Sequence, residues 1–309
     1  MNNTENFVDH VIRGEAKTLR DNAFTTIART HATDGCSSTQ GMAVCGDYIY
    51  SIQIKSDNSK CIMHRVHRFT GECCLMTDST TGSTVFTNLR HANAMDFKVL
   101  DGKNCLFVSV SDKVIVWEID DTVLRPYAEF SILYNGKPFI TSAMNVYKID
   151  DDKITFIFKW GRTLSTGSVP RGVTTGVMEA TILCQLDASR VPLNGEEVNF
   201  SSFINQGLCC EGDIVLIPIT GNHKDETINQ AIILGYDISR ANGANTLQPE
   251  PNLVFHMICE EYPGLFEVED CDIADDGKMY FNANRWLEKW GADYDGVLVM
   301  NDYTFPVKK

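Results

Sequence analysis

The chain has 309 residues, with 27 Lys and Arg against 41 Asp and Glu, a formal net charge of −14 at neutral pH. Nucleic acids and anionic membrane surfaces are bound by basic side chains that neutralise phosphates, so this balance disfavours both as partners. A content of 43% hydrophobic and 22% charged residues fits a globular protein with a substantial core, and no apolar run approaches the ~20 residues of a membrane-spanning helix.

Residues 1–21 read as an N-terminal extension. Phe7, Val8, Val11 and Ile12 lie on a loosely amphipathic pattern that predicts a short docking helix. Glu5, Asp9, Arg13, Glu15 and Lys17 interrupt any apolar core of a signal peptide. Next comes a strand-like run, 22–30 (NAFTTIART).

From there one plan recurs. Segments 39–54 (TQGMAVCGDYIYSIQI), 90–110 (RHANAMDFKVLDGKNCLFVSV), 141–160 (TSAMNVYKIDDDKITFIFKW), 205–220 (NQGLCCEGDIVLIPIT) and 268–283 (VEDCDIADDGKMYFNA) each open with small or polar residues. Each then runs apolar, turns through Asp and Gly, and continues as a β-branched and aromatic strand. Gly accepts positive φ at low cost and Asp closes its own backbone turn, so these are hairpins. Further strand candidates lie between the openings, including 60–69, 113–120, 176–187, 229–238 and 294–301. Four strands per recurring unit is the composition of a propeller blade. The expected fold is therefore all-β: a single five-bladed β-propeller over residues 22–309, with blades opening near residues 39, 92, 141, 205 and 268. The run at 22–30 would close the last blade, leaving no long open edge. An irregular two-domain β-sandwich is the alternative. Little helix is expected beyond the N-terminus and the loop around Trp286.

In an up-and-down blade the innermost strands gather their leading ends at one mouth of the axis. The residues expected there are Gln40, His91, Asn93, Ser142, Gln206, Glu267 and Glu269. The second-to-third-strand connections open on the same face and read as long in the last three units. They carry Arg162 and Arg171, then His223 and Lys224, then Arg285, Trp286, Trp290 and Tyr294. Long loops on one side of a rigid scaffold are where function usually sits. Trp286 and Trp290, four apart, either share a face of a short helix packed on the rim or form an exposed pair for a sugar ring. A hydrated axis also tolerates polar side chains with no ligand at all.

No phosphate loop, dinucleotide fingerprint, H-E-x-x-H or G-x-S-x-G occurs, so no cofactor and no metal are expected. Glu267 and Glu269 lie two apart with a rise of about 6.6–6.8 Å, within reach of the carboxyl spacing of inverting glycosidases. Both stand on one wall, however, whereas an acid and a base must flank the scissile bond. Asp96 is the nearest further carboxylate. A weaker scheme uses His91 as base with Glu269 orienting it. Eleven cysteines, with no C-x-x-C, fall largely in strand-like runs and predict free thiols in a reducing, cytoplasmic compartment. Any release from the cell would be non-classical.

Thr39-Gln40-Gly41, His91-Ala92-Asn93-x-Met95 and Glu267-x-Glu269 before Cys271 resemble the blade openings of bacterial five-bladed propellers that include the helveticin J family. Ala94 and Asp270 depart from that pattern. The resemblance implies recognition of a glycan or cell-envelope component by the loop-bearing face. The resulting expectation is non-catalytic binding of a small-molecule or glycan ligand at the mouth. A carbohydrate-active enzyme using Glu269 with Asp96 or His91, and a scaffold for protein partners, are the rival readings.

Overall fold

A computed structural model describes residues 17–222, 228–287 and 292–305. Among them, five sheets of five to seven strands, and one two-stranded hairpin at Val191–Leu193 and Glu196–Val198, make up the fold. Sheet I runs Ser38–Cys45, Tyr48–Ile54, Cys61–His67, Cys73–Leu75. Sheet II runs Met95–Leu100, Lys103–Val110, Lys113–Asp120, Val123–Tyr134. Sheet III runs Ala143–Ile149, Lys153–Trp160, Thr163–Pro170, Thr181–Leu186. Sheet IV is built on Ile214–Gly221, Gln230–Asp237 and Val254–Ile258. Sheet V runs Leu265–Ile273, Lys278–Leu287, Gly296–Thr304, and then takes Phe24–Arg29 as its outer strand.

Antiparallel meanders form because the connections carry the right turn residues. Asp101-Gly102 and Asn135-Gly136 hold positive φ at both central positions, the geometry that matches strand twist in a two-residue hairpin. Consecutive sheets then pack face to face. Tyr50, Met63, Leu106 and Trp117 join sheets I and II, and Phe107, Phe130, Phe156 and Phe158 join II and III. Ile157, Leu164, Leu234 and Tyr236 join III and IV, Leu216, Phe255, Phe266 and Phe281 join IV and V, and Met42, Ile49, Tyr280 and Val297 join V back to I. A sheet covered on both faces needs apolar residues on both, so runs such as 214–219 are continuous rather than alternating. The arrangement is that of a β-propeller, all-β as the sequence predicts.

Five equivalent units are not what the sheets show. A continuous inner strand opens sheets I, II, III and V, but in sheet IV the inner position is broken into Ile204–Asn205 and Cys209–Glu211. The cause lies at Gly207, whose N–H donates to the Glu269 carbonyl at 2.6 Å, and where a Cβ would stand 2.1 Å from Asp270 Oδ1. Only glycine allows this approach, and the strand dips out of register there.

The N-terminal segment also differs from expectation. Lys17–Leu19 is a strand, paired in parallel with Phe255–Met257 on the outer edge of sheet IV. The predicted docking helix otherwise lies outside the described residues. Nor is 159–176 a long loop: Lys153–Trp160 and Thr163–Pro170 form a tight hairpin, and Thr175–Glu179 crosses to pair with Glu129–Leu133 of sheet II.

Candidate functional site

The innermost strands meet around Asp270. Sheet V carries a bulge between Val268 and Asp270, which leaves Glu269 as the extra residue and turns Glu269 and Asp270 both inward. Asp270 Oδ2 accepts from the backbone N–H of Met42 at 3.0 Å and Met95 at 3.3 Å, while Oδ1 accepts from Leu208 at 3.2 Å and Cys271 at 3.1 Å. One side chain thus fastens the openings of sheets I, II and IV to sheet V. Burial pushes the Asp270 carboxyl up, and these N–H groups oppose it. Neighbouring contacts complete the circuit: Gly41 N donates to the Ala92 carbonyl at 2.9 Å, and Val146 N to Asp96 Oδ2 at 2.8 Å.

Above this plug a polar cluster opens. Gln206 Nε2 donates to Glu267 Oε1 at 2.6 Å, and Asn284 Nδ2 donates to Glu269 Oε1 at 2.6 Å and reaches Glu267 Oε2 at 3.5 Å. Asn284 Oδ1 in turn accepts from Thr39 N at 2.6 Å. Burial, with the adjacent Glu267 carboxyl, raises Glu269 well above the usual carboxylate range, and the Asn284 amide opposes it. Gln40 Oε1 and Asn93 Oδ1 are buried acceptors with no partner among the described residues, and they flank the Gly41–Ala92 contact that joins their strands.

Beside them, Ser142 donates from N and Oγ to the Lys159 carbonyl at 2.7 and 3.0 Å, and Lys159 Nζ donates to Ser142 Oγ at 3.2 Å. Lys159 has 0% exposure. Burial lowers its amine to about 7, with Asp270 pulling it up and Arg162 pushing it further down. Next in the chain, Trp160 is 60% exposed, near Ile140 at 63%, and its ring lies 6.3 Å from that of Phe139.

Side-chain hydrogen bonds link Gln206 to Glu267, and Glu267 and Glu269 through Asn284, while Gln40, Asn93 and Ser142 sit at the openings of their strands. Two residues do not join. His91 is exposed and bonds Asn58 Oδ1 through Nδ1 at 3.0 Å. Asp96 lies deeper, held by Lys98 Nζ at 2.8 Å in a separate cluster with Asp272. Neither the Glu269–Asp96 nor the Glu269–His91 pairing is assembled. Glu267 and Glu269 meet on one Asn284 amide rather than standing as a spaced pair. Trp286 is half-buried within strand 278–287, paired with Leu265 and Asp293, so the helix expected around it is absent there. Trp290, His223 and Lys224 lie outside the described residues. Arg171 bonds Asp101 in the first turn of sheet II, and Arg162 bonds the carbonyls of Phe200 and Ser201, so both serve packing between units.

Lys159 and Trp160 are not singled out by sequence reasoning. Both end an apolar strand, 154–160, and in the sequence the lysine reads as the solvated first residue of a loop. A run of seven residues with its charge at the end carries no sign that the end is buried. Among the described residues, no group of three or more His, Cys, Asp or Glu is placed to hold a metal ion.

No family model matches the chain, and no curated protein does. Several solved structures are similar over most of the chain. The catalytic domain of a GH62 α-L-arabinofuranosidase from Coprinopsis cinerea is 9% identical, with 89% of this chain and 94% of that one covered and a TM-score of 0.48. The α-L-arabinofuranosidase PaAbf62A from Podospora anserina, solved with cellotriose, is 7% identical over 93% and 96%, with a TM-score of 0.49. RS223 β-xylosidase is 10% identical over 89% and 96%, also at 0.49.

Proposed function

We propose that the protein binds a glycan or similar polyhydroxylated ligand at the mouth ringed by Gln40, Asn93, Ser142, Gln206, Glu267 and Glu269, without cleaving glycosidic bonds. The observation that carries this reading is the pair of buried, unpartnered acceptors, Gln40 Oε1 and Asn93 Oδ1, on adjacent strand openings. A buried acceptor with no donor costs about 1–3 kcal/mol, and a ligand hydroxyl would remove that cost. Exposed Trp160 supplies the apolar face on which a sugar ring stacks. Cleavage is disfavoured because the two carboxyls meet on one amide instead of standing on opposite sides of a bond.

The same reading counts sheets I to V as five blades of one ring, supported by the apolar cluster between each successive pair. The motifs that resemble the helveticin J family include Gln40, Asn93, Glu267 and Glu269, all at this mouth, which supports a cell-envelope glycan as the ligand. A reducing compartment, with non-classical release, belongs to this proposal too.

A glycan array followed by calorimetry on the purified chain tests it. Gln40→Ala, Asn93→Ala and Trp160→Ala should each weaken binding about tenfold, equivalent to ~1.4 kcal/mol. A triple variant that keeps full affinity removes the proposed mouth. Release of chromophore from aryl glycosides, lost in Glu269→Gln, would replace binding by hydrolysis.

A further inference from the structure

Ser142 and Lys159 form a pairing that ligand binding does not require. Ser142 leads into the inner strand of sheet III, and Lys159 ends the next strand. Antiparallel register sets Lys159 opposite Ala143, so the two side chains meet at the end of the sheet. Their Oγ and Nζ atoms are 3.2 Å apart. Ser142 is half-buried at the mouth, whereas Lys159 has no exposed surface. A reachable hydroxyl thus stands in front of an amine shielded from water. The geometry points to a serine–lysine dyad that hydrolyses small acyl esters, with Ser142 as nucleophile and Lys159 as general base.

A lysine acts as a base only when neutral, and here burial holds the amine at about 7. The charged groups that face it are Asp270, across from sheet V, and Arg162, on the turn after its own strand. Asp270 accepts from backbone N–H groups and Arg162 donates to two carbonyls, so each has hydrogen-bond partners other than the amine. The Ser142 hydroxyl donates to the Lys159 carbonyl in this state. Rotation about its Cβ–Oγ bond turns that hydrogen to Nζ.

In the first half-reaction Lys159 Nζ takes the Ser142 proton as Oγ bonds to the acyl carbon. The ester C–O bond then breaks, and the departing alkoxide leaves as an alcohol with the proton from Nζ. In the second half, water gives a proton to Nζ and bonds to the acyl carbon. The acyl–Oγ bond breaks, Oγ recovers the proton, and a carboxylic acid departs. No other reactant is needed. Ile140, two residues before Ser142, and Trp160, next after Lys159, are the exposed apolar side chains nearest the pair in sequence. An O-acylated sugar would suit the mouth as well; that extension alone rests on the binding proposal.

Purified protein is incubated with p-nitrophenyl acetate, and the acetyl group is located by intact mass and peptide mapping. Acetylation of Ser142, with a rate that rises through pH ~7 and then levels, is expected. Ser142→Ala should remove the adduct and the turnover. Lys159→Met should slow acylation at pH 8 by at least ~100-fold and abolish the inflection near neutrality. Should Lys159→Met fail to fold, fluorophosphonate labelling of the unaltered chain tests the same nucleophile, with Ser142 the residue expected to carry the label. Turnover undiminished in Ser142→Ala, label confined to other residues, or no acylation of the unaltered chain by either reagent would each overturn the dyad. Calorimetry with glycans is read separately, so either proposal can fail alone.

Discussion

Lys159 shows how one side chain can cost stability and still shape a site. Its amine sits at about 7 when folded, against an ordinary value of 10.5. Between those two values the unfolded chain binds a proton that the folded chain has released. Stability therefore rises with pH across that window, and the burial penalty is complete below about 7. Lys159→Met removes the penalty. We expect the variant to be more stable than the parent at pH 6, by on the order of 1–3 kcal/mol, the gain being reduced because the hydrogen bond from Nζ to Ser142 Oγ is lost as well. The advantage should fade towards pH ~10. Urea titrations across that range measure it, and an advantage that grows with pH would contradict the assignment.

At the level of strands, the inner circuit depends on a carboxylate where an apolar residue would be the usual choice. Asp270→Asn keeps the shape but replaces one acceptor oxygen by an amide donor, which must face N–H groups of Met42 and Met95 or of Leu208 and Cys271. The loss should be about 3–5 kcal/mol by chemical denaturation, since buried donors are left opposed. A cost under ~1 kcal/mol would mean the strands hold their positions without it. These same strands mark the limit of what the sequence makes legible. The hairpins are readable because Asp101-Gly102 and similar turns announce themselves locally. The alternation of strands and the closing role of 22–30 follow from that spacing. The bulges at Thr39/Met42 and Val268/Asp270 are not readable, because an extra residue leaves no mark in an apolar run. They change which side chains point inward, so Asp270, in the sequence only a departure from a motif, proves central. His91 and Asp96 fall outside the site for a related reason. A position in a strand opening does not reveal whether the chain curls outward, as at His91, or continues down the axis, as at Asp96.

Across the whole molecule, closure depends on Phe24–Arg29 lying against Gly296–Thr304. Phe24 stacks on Phe266 with ring centroids 5.4 Å apart and meets Phe281 edge-on at 5.9 Å, so the strand contributes to the core as well as to the ladder. A chain beginning at Thr30 would expose that edge and leave a hole beside both rings. It should self-associate in light scattering, and a peptide of residues 17–30 added in trans should restore a single monomeric species. A truncated chain that stays monomeric without the peptide would show that the seam is dispensable.

The register of that seam has a mechanical consequence. Phe24 lies opposite Met300 and Arg29 opposite Gly296, so the polypeptide enters and leaves the closing pair at one end. Tension applied at that end loads the rungs in succession, as in a zip, rather than all together in shear. In an optical trap, pulling between positions 22 and 303 would part this pair at low force while the interior meanders stay intact.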